Sequence, residues 1–320
     1  MRRFPAKNRQ QGIALVTALL VVALATIAAV EMVSRQQLDI RRVQNVLARE
    51  QAYSYAIGAE LWAMHTLKEK LEQDGPDSDH LQQAWAQPIV LPEFDGAQLQ
   101  MQIYDAQARF NLNNLHDVQP GDTNNVYVQQ FIRLLELAGA EDPPQIANAT
   151  MDWLDPDMEE RPGGAEDGTY TQLEQPYRTA NQPMASVSEL RLVYGMTPEI
   201  YQQIEPYIIA LPAVTAVNLN TAQAGVLMGL FPGLNQQLAE QIIEQRNARE
   251  DGLTDPNELL QLLPPQSLPD NIDEAVGVSS DFYIADIRVE LGPSRVRLRS
   301  LIQRSATGEL RVISRSQGPL

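Results

Sequence analysis

The sequence predicts an α+β fold in which a long N-terminal helix packs on an antiparallel sheet and a large all-α domain is inserted into that sheet. Three observations support this. Residues 6–75 contain no proline and pass from a continuous apolar run into a one-sided helical pattern. Alternating apolar and polar residues near residue 100 and near residue 290 indicate strands. Between them, helical patterns are separated by proline and glycine.

The first twelve residues have the composition of a leader. Basic residues are followed by Gln11 and Gly12, and an uninterrupted apolar run starts at Ile13 and continues to Val30. An ordinary secretory signal is cleaved beyond an apolar region of about 7–15 residues, after small residues. Here the run is longer, and Glu31 follows it without such an exit. We therefore predict cleavage between Gly12 and Ile13, which is typical of a prepilin and assigns prepilin peptidase as the processing enzyme.

The apolar run predicts one membrane crossing. Its 18 residues fall slightly short of a hydrocarbon core of about 30 Å, and a helix over residues 13–33 is just sufficient. Because the positive charges precede the run, residues 1–12 are expected in the cytoplasm. The bulk of the chain is then expected in the periplasm, anchored in a bacterial inner membrane. The alternative is a simple signal anchor that tethers a non-polymerising periplasmic binding protein.

Residues 34–74 are the predicted periplasmic half of the first helix. Apolar residues recur there at three- and four-residue steps, mostly with charged residues between them. The expected apolar stripe consists of Val43, Val46, Leu47, Tyr53, Ile57, Leu61, Met64, Leu67 and Leu71. We expect the helix to end at Asp74, before Gly75 and Pro76. Such a stripe requires a sheet to cover it.

Two regions of the chain supply that sheet. Residues 75–112 contain a half-buried strand at Ala97–Asp105. Residues 281–320 contain a predicted meander of three strands, Phe282–Leu291, Ser294–Arg304 and Glu309–Ser314. Since neither group is large enough to be stable alone, one sheet is expected to contain both. Residues 113–280 would then be an insertion.

The insertion has the pattern of helices and loops. Its helical candidates are Val126–Ala138, Ile146–Leu154, Ser188–Tyr194, Pro198–Ile209, Ala222–Leu230, Leu238–Arg249 and Asn257–Leu263. Two segments begin alike, one at Phe110-Asn111-Leu112-Asn113 and the other at Val217-Asn218-Leu219-Asn220. In the second segment, Asn220 or Thr221 is a natural helix N-cap.

Composition limits the function classes. The formal charge is −17, and loss of the four basic leader residues would make the chain more acidic still. Phosphate backbones bind through lysine and arginine, so nucleic acid is not an expected partner. The chain has no cysteine, which excludes disulfides, thiol nucleophiles and zinc-thiolate sites. His65, His80 and His116 are scattered, and no catalytic triad or phosphate-binding glycine loop is present.

One segment points to a different function. Residues 217–222, the turn Phe231-Pro232-Gly233-Leu234 and the helix after it resemble a helix-hairpin-helix unit of the type common in DNA-binding proteins. In those proteins, backbone N–H groups at hairpin glycines contact phosphate. Here Asn235 replaces the second glycine, and residues 218–263 contain two arginines against six carboxylates. The fold resemblance is therefore compatible with the chain, whereas DNA binding is not expected.

The leader that ends at Gly12, the apolar helix from Ile13, the helix-plus-sheet pattern and the helical insertion together resemble the minor pseudopilin K family of the bacterial type II secretion system. The resemblance covers essentially the whole chain. It implies a pilin-like fold with an inserted SAM-like or helix-hairpin-helix-like domain. It also implies a nonenzymatic role in protein export across the outer membrane, at the tip of a periplasmic pseudopilus. Other minor pseudopilins are the implied partners, and the acidic surface is expected to meet the secretin or secreted substrates.

Thr17 occupies the fifth position of the expected mature chain. Pilins and most pseudopilins carry glutamate there, and members of the K family characteristically lack it. That carboxylate is thought to offset the N-terminal charge of a neighbouring subunit, because unpaired charges are costly in apolar surroundings. A subunit at the tip has no neighbour above it whose charge must be neutralised, so an uncharged Thr17 costs nothing there. The alternative is that Thr17 is a tolerated polar residue whose hydroxyl bonds to the backbone.

An acidic segment at residues 152–170 is the candidate metal site. Seven carboxylates lie within it, and Gly163-Gly164 allows the chain to turn back on itself. Crowded carboxylates repel one another unless a cation or protons intervene, and hard oxygen ligands suit calcium. From the residues alone, a solvated acidic loop is an equal alternative, and a paired-carboxylate hydrolase on Asp155 and Glu166 stays formally open. The family resemblance implies structural calcium. Its expected ligands are Asp152, Asp155, Asp157, Glu166 and Asp167, with Glu159 and Glu160 in reserve.

Overall fold

The computed structural model describes residues 10–264 and 267–318, so residues 1–9 of the predicted leader lie outside the described residues. The α-helices are α1 (Gln10–Asp74), α2 (Val126–Leu137), α3 (Pro143–Leu154), α4 (Asp167–Tyr170), α5 (Pro198–Ile204), α6 (Ala224–Leu230), α7 (Gln236–Asn247), α8 (Asn257–Leu260) and α9 (Ile272–Ala275). The strands are β1 (Ile89–Phe94), β2 (Ala97–Asp105), β3 (Phe110–Asn111), β4 (Ile208–Ile209), β5 (Val217–Asn218), β6 (Val276–Gly277), β7 (Phe282–Leu291), β8 (Ser294–Arg304) and β9 (Leu310–Ser316). Short 3-10 helices occupy Ala84–Ala86, Ala106–Ala108, Leu112–Leu115, Val187–Leu192 and Glu205–Tyr207.

The first helix, α1, runs for 65 residues without a break. At 1.5 Å per residue, this corresponds to a rod of about 98 Å. The helix ends at Asp74 because Gly75 adopts a positive φ of 78°. The Lys70 ammonium donates to the Gly75 carbonyl at 2.9 Å and so satisfies a carbonyl at this end. The predicted single long helix is confirmed.

A five-stranded antiparallel sheet lies beside α1, in the order β1-β2-β7-β8-β9. Its central pairing joins the two predicted strand groups, since Ala97 lies opposite Leu291 and Asp105 lies opposite Tyr283. Asp95 and Gly96 turn the chain from β1 into β2 with positive φ values of 51° and 76°. The prediction of a single sheet is therefore confirmed. The sequence pattern did not predict β1, because this edge strand contains a proline and has little burial.

The core between α1 and the sheet differs from the expected stripe. The helix buries small residues, Ala52, Ala56, Ala59 and Ala63 together with Leu67, against residues such as Ile287 of β7. Four members of the predicted stripe are each more than half exposed, namely Val43, Val46, Leu47 and Leu61. The expectation that these large side chains face the sheet was wrong. Alanine brings the helix axis close to the sheet, which the spacing of large apolar residues does not reveal.

The inserted domain holds two hydrophobic cores, one around α2 and α3 and another around α6, α7 and α8. It also covers part of the second face of the sheet, where Leu211 packs with Phe282 and Leu301. One predicted helix, Pro198–Ile209, is shorter than expected and ends at Ile204. Pro206 lies in the 3-10 turn that follows, and Ile208 and Ile209 then pair with β3 as a parallel strand.

The two alike segments of the sequence build the same local structure twice. β3 pairs in parallel with β4, and β5 pairs in parallel with β6. Asn113 accepts a hydrogen bond from the Met184 N–H at 2.8 Å and donates to the Met184 carbonyl at 3.0 Å. Asn220 does the same with Leu253, at 2.7 and 3.0 Å. The insertion is therefore an internal structural repeat, built on the Asn-Leu-Asn pattern.

Candidate functional site: the N-terminal helix and the acidic loop

The apolar half of α1 is exposed to solvent and packs against no other part of the described chain. Within the described residues, one helix is long and apolar enough to cross a membrane, with a mean hydropathy of 2.8 over its most apolar window and none of that window buried. Glu31, the acidic residue that follows the apolar run, pairs with Arg35 one turn further along. The segment therefore has the physical properties of a membrane anchor.

The predicted cleavage point lies inside this helix, because α1 starts at Gln10 and includes both Gly12 and Ile13. Thr17 lies one turn beyond. Its hydroxyl donates to the Ile13 carbonyl at 3.1 Å and to the Ala14 carbonyl at 3.0 Å. A hydroxyl bonded in this way leaves no unpaired polar group in apolar surroundings. The Thr17 hydroxyl is therefore bonded to the backbone, as the alternative interpretation expects. This geometry is also compatible with a position that needs no carboxylate.

The acidic loop starts in the last turn of α3 and ends at α4. Asp152 is completely buried, and its oxygens accept from the Arg161 guanidinium at 3.0 Å, the Arg161 N–H at 3.2 Å and the Ala165 N–H at 2.8 Å. A Cβ atom on Gly164 would lie 1.9 Å from Asp152 Oδ2, so only glycine fits beside this carboxylate. Asp152 is therefore held by protein donors and organises the loop.

The structure brings three of the five expected ligands together. Asp155, Asp157 and Glu166 each offer one oxygen, and these oxygens lie within 4.8 Å of one another. Asp167 is directed elsewhere, since it accepts from the Thr179 N–H and hydroxyl, both at 3.0 Å. Of the reserve residues, Glu159 and Glu160 are exposed and lie outside this cluster.

Three buried oxygens in this region lack a donor among the described residues. They are Asp155 Oδ1, Glu166 Oε1 and Asn181 Oδ1. Asn181 lies against the loop because its amide donates to the Asp157 carbonyl at 2.9 Å. Asn181 lies 14 residues beyond Asp167 and belongs to no local motif, so the sequence pattern does not reveal it. Buried oxygens without a donor are costly, and a bound cation would satisfy them.

The electrostatics of the loop favour a cation for the same reason. Burial, together with repulsion from Asp152 and Asp155, raises the pKa of Glu166 to about 7. Burial also raises the pKa of Asp152, although the Arg161 guanidinium opposes that change. Arg161 is the cation shared by Asp152 and Asp155. A single guanidinium leaves the site short of positive charge, and the all-oxygen donor set fits a hard divalent ion.

The helix-hairpin-helix segment uses its arginines internally. Arg246 donates to the carbonyls of Leu219 and Ala222 at 2.8 and 2.7 Å, and Arg249 pairs with Glu258. Asn235, which stands where the second hairpin glycine was expected, caps α7 by accepting from the Leu238 N–H at 2.9 Å. These side chains therefore make contacts within the protein, and the segment has a structural role.

Two family models match the inserted domain. Both describe the type II secretion system (T2SS) protein K, over residues 108–213 and 217–279. The chain is 37% identical to a type II secretion system protein K from Pseudomonas aeruginosa, over 98% of this chain and 94% of that protein. The chain belongs to the type II secretion system protein K family. A family member from Klebsiella pneumoniae is 36% identical over 93% of both chains.

A solved structure agrees with this assignment. The chain matches the crystal structure of a GspK-GspI-GspJ complex from the type 2 secretion system of enterotoxigenic Escherichia coli, with a TM-score of 0.75 and 26% identity. The match covers 87% of this chain and all of the matched chain. The family resemblance and the α+β fold predicted from the sequence are confirmed. As a member of this family, the chain is a minor pseudopilin of the type II secretion system.

Proposed function

We propose that this minor pseudopilin is the terminal subunit of a short periplasmic pseudopilus, anchored in the inner membrane by α1, and that it takes part in protein export as a nonenzymatic component. The observation that carries the proposal is the position of the inserted domain. It contacts the chain just beyond the C-terminal end of α1, which is the end remote from the apolar segment.

Several hydrogen bonds fix that position. Ser78 donates to the Leu253 carbonyl, the Asp79 N–H donates to the Val278 carbonyl, and Gln82 donates to the Asn247 carbonyl, each at 2.9 Å. The bulk of the insertion therefore lies at the membrane-distal end of the helix. A subunit with this shape has room for neighbours along α1, whereas a further subunit stacked above it would meet the insertion.

The exposed residues of α1 are suited to contacts with other minor pseudopilins. Val43, Val46 and Leu47 are apolar, and each is more than half exposed on α1. Helices bury such side chains against neighbouring helices in bundles. The matched structure contains GspK together with GspI and GspJ, which supports partners of this kind. Contact of the acidic surface with the secretin or secreted substrates stays a prediction.

Crosslinking tests the proposal against the non-polymerising alternative. The chain has no cysteine, so the Leu47→Cys variant carries a single thiol. When membrane fractions that contain this variant are treated with a thiol-reactive crosslinker, we expect small pilin-like proteins to be crosslinked to it. The exposed Glu199→Cys, in the insertion, is the matched control and should not capture them. Capture of no pilin-like protein at Leu47, or equal capture at both positions, would contradict assembly through α1.

Processing can be tested separately. We expect mass spectrometry of the protein from cells with prepilin peptidase to give an amino terminus at Ile13. A Gly12→Leu variant should keep its leader, because a bulky side chain then lies directly before the bond that the peptidase cleaves. A different amino terminus in the wild-type protein would contradict the prepilin assignment.

We further propose that the acidic loop binds structural calcium through Asp155, Asp157 and Glu166, with the Asn181 side-chain oxygen as a further ligand. Calcium would supply the positive charge that the three carboxylates share. The three buried oxygens without a donor support this donor set. Because the ion would bind the folded loop and not the unfolded chain, it would stabilise the insertion.

Thermal unfolding with and without a chelator tests the calcium proposal. At calcium a hundredfold above Kd, linkage gives about 2.7 kcal/mol of stabilisation. We expect this gain to vanish in Glu166→Gln and to persist in Glu159→Gln, whose side chain is exposed nearby. An unfolding midpoint that does not respond to millimolar calcium would contradict the site.

A further inference from the structure

A cavity lies at the seam between the insertion and the face of the sheet that α1 does not cover. Its volume is about 350 Å³, near the lower limit of ordinary ligand sites, which span about 300–1,000 Å³. Its apolar lining includes Ile208, Ile209 and Ile284. Its charged lining includes Arg109 and Arg299. Such a cavity, at the junction of two structural units, is a common place for a ligand.

Arg109 is the unusual residue of this cavity. It is half-buried, yet its guanidinium makes no hydrogen bond and no ion pair with any residue in the described part of the chain. Burial lowers the pKa of Arg109, and repulsion from Arg299 lowers it further. Arginine nevertheless keeps its proton at physiological pH, so the cavity holds a charge without a direct partner.

Other half-buried arginines in the described ranges have partners. Arg133, for example, donates to the carbonyls of Gly229 and Leu230 at 2.7 and 3.1 Å. Burial lowers the pKa of Arg133 as well, to about 10, but its N–H groups are used inside the protein. Arg109 bears the cost of burial without this compensation. An arginine that is partly buried and has no hydrogen-bond partner in the protein is available to bind an anion from another molecule.

The acidic residues of the cavity do not fill this role. Asp286 is already paired with two nitrogens of Arg297, and Arg299 reaches it at only 3.4 Å. Asp105, outside the lining, and Glu205, within it, both attract Arg109 through space, but neither forms a hydrogen bond with it. With Arg109, Arg297 and Arg299 set against Asp286 and Glu205, one positive charge remains. That charge matches a monoanion better than a phosphate dianion.

We propose that this cavity binds a carboxylate joined to an aliphatic group, as presented by an apolar C-terminal residue of a partner polypeptide. Arg109 and Arg299 hold the carboxylate, and the three isoleucines contact the aliphatic group. A planar guanidinium binds a carboxylate through two parallel N–H bonds, which Arg109 has free to offer. The proposal is independent of the calcium site and of the place of the subunit in the filament.

Titration of the full-length chain in detergent with N-acetyl-leucine tests the binding, since this compound imitates a C-terminal leucine. We expect saturable binding, at least tenfold weaker in Arg109→Gln. The control Arg311→Gln removes an exposed arginine of β9 whose guanidinium donates to Gln303, and binding should be unchanged. Glu205→Gln should bind more tightly because it removes a repelling charge.

N-acetyl-leucinamide and inorganic phosphate complete the test. The amide lacks the charge and should not bind, and phosphate should not displace N-acetyl-leucine at equal concentration. Equal binding of the amide, displacement by phosphate, or an unchanged affinity in Arg109→Gln would overturn the proposal.

Stability provides a second and independent readout. We expect Arg109→Met to unfold at the same temperature as the wild-type protein or a higher one, since it removes an unpaired buried charge. Arg133→Met should unfold at a lower temperature, because it leaves two carbonyls without donors. If Arg109→Met is destabilised as much as Arg133→Met, then Arg109 is a structural residue and the proposal fails.

Discussion

Arg161 is the residue on which the acidic loop depends. Its guanidinium contacts Asp152 and Asp155 and donates to the Val118 carbonyl at 3.0 Å, all in a buried setting. Without it, two carboxylates would share the loop with Glu166 and have no cation. The loop can therefore be viewed as a half-neutralised acidic cluster, in which Arg161 supplies one part of the positive charge and the proposed ion the other.

We expect Arg161→Met to destabilise the protein by about 3–5 kcal/mol, the usual cost of leaving buried charges without their partner. Chemical denaturation in the presence of chelator measures this directly. Arg178→Met is the matched control, because Arg178 is largely exposed and contacts Asp167 only at 3.7 Å. Similar losses in the two variants would show that Arg161 has no special role.

Glu60 is a second single residue with a testable effect, since its ionisation makes the stability of the fold depend on pH. It lies in α1, is 1% exposed and accepts two hydrogen bonds from Arg315, both at 2.8 Å. Burial acts to raise its pKa, but the hydrogen bonds from Arg315 and Ser300 outweigh burial and hold the pKa below 4.5. The ionised form therefore stabilises the fold above that pH, and the contribution is lost as the pH falls further.

We expect Glu60→Gln to lose about 1–2 kcal/mol at pH 7, a modest value because Arg315 is about half exposed and can turn to water. The difference from wild type should shrink as the pH falls below about 4.5. Unfolding free energies measured across pH 7 to 3 provide the test, with the exposed Glu50→Gln as control. A difference that grows on acidification would contradict the assigned direction of the pKa shift.

Single residues of the site were partly predictable. Carboxylate density and Gly163-Gly164 pointed to a cluster, and the turn forms, with the Gly164 N–H donating to the Arg161 carbonyl at 2.8 Å. The sequence could not show that Asp152 is bound by Arg161, because that contact depends on the path of the loop. Asn181 was equally hidden, since its place beside Asp157 depends on tertiary structure.

At the scale of elements, strands were easier to predict than helix faces. Three predicted strands, Ala97–Asp105, Phe282–Leu291 and Ser294–Arg304, have the same bounds in the structure. Their alternation is a direct consequence of having one buried face. The helix stripe failed because alanine, which carries little weight in an apolar pattern, forms the contact with the sheet.

We expect Ala56→Leu to destabilise the protein by about 1–3 kcal/mol, since the added carbons must enter a filled interface. Ser54→Leu, two residues earlier on the exposed side, should change the stability by less than about 0.5 kcal/mol. Urea unfolding of both variants decides the matter. Equal effects would mean that α1 does not lie on the sheet through its alanine face.

At the scale of the whole molecule, the sheet register explains how an insertion of this size is accommodated. The chain leaves the sheet after Asp105 and returns at Phe282, and Asp105 lies opposite Tyr283. Both ends of the insertion therefore meet at one end of the sheet, between neighbouring strands, and the ladder is not interrupted. Asp79, just beyond α1, accepts from the Ser280 N–H at 2.9 Å and so joins the same end.

The existence of the insertion could be predicted from the two separated strand groups, but its position could not. Only the pairing of β2 with β7 shows which end of the sheet carries it. Likewise, the sequence repeat at Asn113 and Asn220 was visible, whereas its use as two equivalent amide clamps required the fold. Long-range register is the information that a single sequence lacks.

The central claim, that this subunit ends the pseudopilus, is tested most directly by counting it in filaments. A single cysteine at the exposed Glu199 can be labelled with gold, because the natural chain has no cysteine. In isolated pseudopili that carry this variant, we expect at most one label per filament, located at one end. Labels spaced along the shaft would contradict the claim, since a subunit with the insertion at its membrane-distal end would then tolerate neighbours above it.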